Sequence, residues 1–167
     1  MPIYRFHIES PMMPEMVIER MKALTKSPPR QLIPYRNEIN PTSDRAAIFL
    51  GIVDHSTFHV RRNINYKNSF LPFINGTVAE MSLERGSEIR VTMFMHPIVA
   101  LFTVIWLSIT GHDAWITFQS VDVSTAEILV SLGMFVFGIA LALGGSIPEV
   151  IKSKRLLSSE FGAPSDA

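Results

Sequence analysis

The 167-residue sequence predicts an α+β membrane protein, with an N-terminal helix and an antiparallel β-sheet domain followed by a two-helix transmembrane hairpin. Three observations predict it. The runs Met93–Thr110 and Ile128–Ile147 contain no Asp, Glu, Lys or Arg. As helices they would reach about 27 and 30 Å, against a hydrocarbon core about 30 Å thick. Ahead of them, short segments alternate in polarity between turn residues, the pattern of half-buried strands. One early segment carries the helical period instead.

In chain order, Ile3–Ile8 sets Tyr4, Phe6 and Ile8 against Ile3, Arg5 and His7, which predicts a strand broken by Ser10-Pro11. Pro14 suits a first helical turn and Glu15 complements the helix dipole there. Val17, Met21 and Leu24 share a stripe, so Pro14–Lys26 is expected to form an amphipathic helix ended by Pro28-Pro29. Ser27–Asp44, with four prolines, is expected to be a connector. Ala46–Val53 and the segment from Phe58 to Tyr66 predict two strands around the turn Asp54-His55-Ser56, with Arg62 interrupting the apolar face of the second. Ile74–Glu84 and Glu88–Phe94 flank Arg85-Gly86-Ser87 and predict a hairpin, with Ala79, Met81 and Leu83 meeting Ile89, Val91 and Met93. The divisions expected are a domain over 1–92, the hairpin over 93–147 and a tail over 148–167, frayed from Phe161 onward.

Charge sets an expected orientation. No Lys or Arg lies between Gly111 and Glu127, while Arg85 and Arg90 precede the first run and Lys152, Lys154 and Arg155 follow the second. Basic residues near spans stay on the cytoplasmic side, so both termini are expected there and the loop outside. Trp115 and Phe118 in that loop are expected to anchor it at the interface, and His96 to sit at headgroup level. The N-terminus has no signal-peptide pattern. The overall charge balance of 15 basic and 15 acidic residues gives no basic tract for nucleic acid.

Candidate chemistry is sparse. Cysteine is absent, which excludes disulfides, thiolate metal sites and cysteine nucleophiles. His55 and His59 have helical ligand spacing, but Thr57, Phe58 and Val60 favour a strand, which would hold them some 13 Å apart. Asp54, His55 and Ser56 contain triad residue types, yet a triad converges from separated parts of a fold. Neither a nucleophile-elbow, a phosphate-loop nor a dinucleotide pattern occurs, so no catalytic residue, cofactor or metal site is expected. Asn75-Gly76-Thr77 reads as a tight turn or bulge. Arg61, Arg62 and Lys67 form the most suggestive polar cluster, a candidate for contact with anionic headgroups or a partner. In the second run, Gly138/Ala142 and Ala140/Gly144 are small-xxx-small pairs, which makes Gly138, Ala142 and Gly144 candidates for close helix packing.

The stretch from Gly51 to Trp106 resembles bacterial membrane proteins that carry a small cytoplasmic β-rich domain before a membrane segment. The resemblance rests on Phe58–Arg62, on Asn68-Ser69-Phe70 ending at Pro72, on Gly76 and on His96-Pro97. It implies a bacterial inner-membrane location, and it transfers no functional residue. The function expected is a non-enzymatic, membrane-anchored binding or accessory subunit at the cytoplasmic face. Its expected partners are membrane lipids and a membrane protein or a second copy of the chain. The alternative is a small membrane enzyme or transport component acting on a lipid or apolar ligand.

Overall fold

The structure is a computed structural model that describes residues 2–27, 47–81, 86–120 and 122–162. Its elements are β1 (Pro2–Ser10), α1 (Pro14–Leu24), β2 (Thr25–Lys26), β3 (Phe49–Val53), β4 (Thr57–Arg62), β5 (Phe73–Glu80), β6 (Ser87–Phe94), α2 (Pro97–Gln119) and α3 (Thr125–Phe161). The strands form one sheet in the order β1-β6-β5-β4-β3-β2. Every pairing is antiparallel except the two-residue contact of β2 with β3, so the sheet is mixed. The proline-rich connector lies outside the described residues beyond Ser27, as does Arg85 of the β5–β6 turn.

One sheet face is covered. Val17, Ile18, Met21 and Leu24 of α1 pack with Phe49, Phe58, Val60, Ile74, Val78, Ile89 and Val91 from the strands. Burying each such side chain is worth about 1.5–3 kcal/mol. The opposite face carries Arg5, His7, Arg90, Thr77 and His59, all exposed. A strand with one face buried is locked in register, because a slip of one residue would expose its whole apolar set. In β5 that logic selects Ile74, Gly76 and Val78, which stand opposite Met93, Val91 and Ile89. The expected set of Ala79, Met81 and Leu83 is therefore corrected at its first two members, since β5 ends at Glu80 and Ala79 is exposed, while Leu83 lies outside the described residues. Asn75-Gly76 is likewise no turn. Gly76 lies mid-strand, where an added Cβ would come within 1.9 Å of the Phe58 ring. Glycine is needed there so that a large core side chain can lie across the strand.

The helices depart further from expectation. Met93 and Phe94 complete β6, and Met93 is fully buried, so the first apolar run begins in the sheet and only then becomes α2. Two residues, Met95 and His96, join them. His96 caps α2 by accepting a hydrogen bond at Nδ1 from the Ile98 amide (3.2 Å), and its ring lies 5.9 Å from that of Phe73. At its other end α2 continues to Gln119, so Trp115 and Phe118 are helical and exposed instead of looped. Ser124 and Glu127 form a reciprocal capping box that starts α3. The loop is thus confined to the residues between Gln119 and Thr125.

The largest correction concerns 148–162; the rest of the expected tail, 163–167, lies outside the described residues. The helix does not stop where the apolar run does at Ile147; α3 passes through Pro148 and runs to Phe161, about 55 Å in all. Its last turns lie on the sheet face beside β1, where Val150, Leu157 and Phe161 join the core. Phe161, expected to fray, is 1% exposed. Arg20 of α1 reaches Glu160 of α3 at 2.9 Å, linking the two helices that cover the sheet. Both α2 and α3 are long and apolar enough to cross a membrane, and their apolar stretches are mostly uncovered.

Candidate functional site

The residues with the most unusual surroundings gather where the sheet domain meets the helical hairpin. Arg62, last in β4, shares the covered sheet face with Phe58 and Val60. It therefore points at α3, where Glu149 follows the apolar run by two positions. Arg62 Nη2 donates to Glu149 Oε2 at 2.7 Å and to Tyr66 Oη at 3.0 Å. Tyr66 Oη in turn donates to Glu149 Oε1. Lys152 Nζ approaches the same oxygen at 3.8 Å from one turn onward. Side-chain exposure is 14% at Arg62 and 4% at Glu149, so this pair is largely withdrawn from water.

A buried ion pair does not by itself add much stability, because desolvating two charges offsets their attraction. Here satisfaction is incomplete as well, since Arg62 Nε is buried without a partner. What the triangle fixes is geometry: it determines which face of α3 meets β4. The Tyr66 hydroxyl is pushed above its ordinary value, chiefly by its hydrogen bond to the Glu149 carboxylate and secondarily by burial. Tyr66 therefore holds its proton and remains a donor.

The loop after β4 makes a second attachment. Asn68 Nδ2 donates to the Gly145 carbonyl at 3.0 Å, while its Oδ1 accepts from the Phe70 amide at 2.9 Å. The Phe70 ring sits where a Gly145 Cβ would be, with Cδ2 only 2.6 Å from that point. Gly145 is accordingly a docking notch for the loop.

Of the candidate contact residues, Arg62 is committed to Glu149. Arg61, next along the strand, lies on the opposite sheet face, and Lys67 is exposed in the loop. The three do not form one cluster. Asp54, His55 and Ser56 are all exposed on the β3–β4 turn, where the Ser56 carbonyl accepts from the Val78 amide at 2.8 Å. His59 lies on the open sheet face. Among the described residues no group of three His, Asp or Glu side chains could hold a metal ion.

The helix-packing candidates separate too. A Cβ on Gly138 would fall 2.7 Å from Trp106 Cδ1, so this glycine does allow α2 and α3 to approach closely. Ala142 is half-buried, whereas Gly144 has nothing within 4 Å of its Cβ position. Near the loop end, Ser131 Oγ donates to Asp113 Oδ2 at 2.6 Å, adding a polar tie between the helices.

Beside α3 runs a groove of about 520 Å³ that sequence reasoning did not find. Ile147, Val150 and Ile151 floor it, Tyr4 of the edge strand β1 forms one wall, and Lys154, Arg155 and Ser158 complete it. Lys154 Nζ is held by Tyr4 Oη at 3.1 Å and lies 5.5 and 5.6 Å from the Tyr4 and Phe6 ring centres. The helical spacing of 147, 150, 151, 154, 155 and 158 is a readable stripe, but only the continuity of α3 past Pro148 makes it one surface.

No protein family, curated protein or solved structure matches this chain. The resemblance over 51–106 gains no support from those comparisons, and the site has to be understood from its own geometry.

Proposed function

We propose that this chain is an integral membrane protein whose α2–α3 hairpin spans the bilayer, and that it serves as a non-enzymatic binding or accessory subunit at the cytoplasmic face. The observation that carries the proposal is the construction of α3. One helix is apolar and uncovered over its first part and then enters the core of the sheet domain. With only Met95 and His96 between β6 and α2, the hairpin is attached rigidly at both ends. A domain held in this way sits at the membrane surface and keeps one sheet face open for contact. Arg61 on that face and Lys67 in the membrane-side loop remain candidates for partner or headgroup contact. The alternative, action on a lipid or apolar ligand, is favoured by one observation, the apolar-floored groove beside α3.

The absence of Lys and Arg from Gly111 to Glu127 supports an external loop and cytoplasmic termini, and the inner-membrane location rests on the resemblance over 51–106 alone. A cysteine at Ser120, exposed at the end of α2, tests this. It should react with an impermeant thiol reagent in intact cells or spheroplasts. Labelling only after permeabilisation would reverse the orientation, and extraction of the chain by alkaline carbonate would remove the membrane reading altogether.

A further inference from the structure

We infer that the groove between β1 and the domain half of α3 is a binding site for one anionic phospholipid of the cytoplasmic leaflet. The inference rests on the membrane reading above. Ile147, Val150, Ile151, Lys154 and Arg155 occupy one stripe of α3, apolar at the end nearer the span and cationic beyond it. Ile147 and Ile151 are 46% and 45% exposed despite their apolar side chains. If hydrocarbon ends near Ile147, the two cations lie about 10 to 12 Å further along the helix axis. Each headgroup region is about 5 to 7 Å deep, so with modest helix tilt long cationic side chains reach back to the phosphates.

The charges are arranged to receive an anion. Among the described residues Lys154 meets no carboxylate; a phenol oxygen and two aromatic rings position its ammonium at the groove wall. Such contacts leave the positive charge uncancelled. Arg155 has no ion pair among the described residues, and its guanidinium can take a phosphate in bidentate fashion. By contrast Lys152, on another face of the helix, lies beside Glu149. An acyl chain along Ile147 and Ile151, with its phosphate at Lys154 and Arg155, would match both halves of the groove. A soluble phosphate would leave the apolar floor uncovered.

The test uses the full-length chain in nanodiscs of phosphatidylcholine containing a minor share of phosphatidylglycerol. Lipids retained after mild detergent extraction are counted by native mass spectrometry. Two cations near an anionic headgroup should raise the ratio of retained phosphatidylglycerol to phosphatidylcholine about thirtyfold over that in the disc. Lys154→Gln with Arg155→Gln should return the ratio to that of the disc, and Arg155→Gln alone, which breaks no ion pair among the described residues, should lower it in part. Ile151→Trp, which fills the floor, should reduce retention of either lipid. Millimolar glycerol 3-phosphate should displace none of it; displacement would assign the site to a free anion and overturn the lipid. Retention at the bulk ratio, or enrichment unaltered in the double variant, would also overturn the inference while leaving the membrane reading intact. Failure of the chain to enter nanodiscs would instead sink both.

Discussion

The two halves of α3 share one backbone and have opposite surroundings. From Thr125 to Ile147 the buried residues are Gly138 and Ser146; from Pro148 to Phe161 they are Glu149, Val150, Ser153, Leu157 and Phe161. From Ile128 to Ile147 the first half carries no charged residue and leaves its apolar side chains mostly uncovered, whichever way they face. The second shows spacings of three and four residues along a single buried stripe, as a helix must when one side meets a sheet. The change occurs within one turn, at Pro148-Glu149, and the Arg62–Tyr66–Glu149 triangle stands at that point. The helix is continuous through that boundary, so one element carries both the uncovered apolar stretch and part of the sheet core.

This comparison is broken most severely at the far end of the helix. Phe161→Ala should destabilise the sheet domain by about 3–5 kcal/mol, the usual result of emptying an aromatic core position. A change to Ala at exposed Phe137 in the uncovered half should leave the domain untouched. Amide hydrogen exchange in the strands, measured on the full chain in detergent, separates the two. Equal protection in both variants would mean that the end of α3 does not belong to the core.

Second in size is the joint. Glu149→Ala leaves Arg62 without its carboxylate and should destabilise the domain by about 2–3 kcal/mol, less than for a fully buried pair because Arg62 retains some contact with water. Combining it with Arg62→Leu should recover much of that loss, since removing both charges also removes their desolvation. Thermal unfolding followed by circular dichroism reads both. An additive double variant would show that the two side chains do not act as a pair.

Third comes packing between α2 and α3. Gly138→Leu would drive a side chain into Trp106 and should loosen the hairpin by about 1–2 kcal/mol, whereas Gly144→Leu meets open space and should do little. Tryptophan fluorescence reports the change directly, as Trp106 is the contact. Equal effects would indicate that Gly144 has a partner outside this chain.

The same contrast explains what could be understood from sequence. The uncharged runs, the amphipathic stripe of α1 and the alternation in β1 and β4 are local signals, and local signals place elements well. The end of α3 is hard to see in the sequence because Glu149, Lys152, Lys154 and Arg155 dilute the stripe while a serine, Ser153, fills one of its core positions. Gly111-His112-Asp113 similarly looked like a loop, although Asp113 is tied to Ser131 across the hairpin. Arg62 was visible as a charge interrupting an apolar face, but its partner lies 87 residues away, and no periodicity carries that information.

The smallest effect expected is at Tyr66, and it has a pH signature. Its folded-state pKa is raised above the unfolded value near 10, so the protonated hydroxyl is favoured by folding. The contribution is therefore complete below about pH 10 and is lost as the pH climbs through the raised value. Tyr66→Phe removes the hydroxyl that bridges Arg62 and Glu149 and should cost about 1 kcal/mol at neutral pH, at the modest end for a bond to a charged group because Tyr66 is partly exposed. The ion pair itself survives in that variant, so the domain should remain attached to α3. The difference in stability between wild type and variant should be constant through neutrality and shrink above pH 10. A difference that instead grew with alkalinity would mean that the phenolate is the favoured form, and Tyr66 would then answer to the Arg62 cation more than to the Glu149 carboxylate.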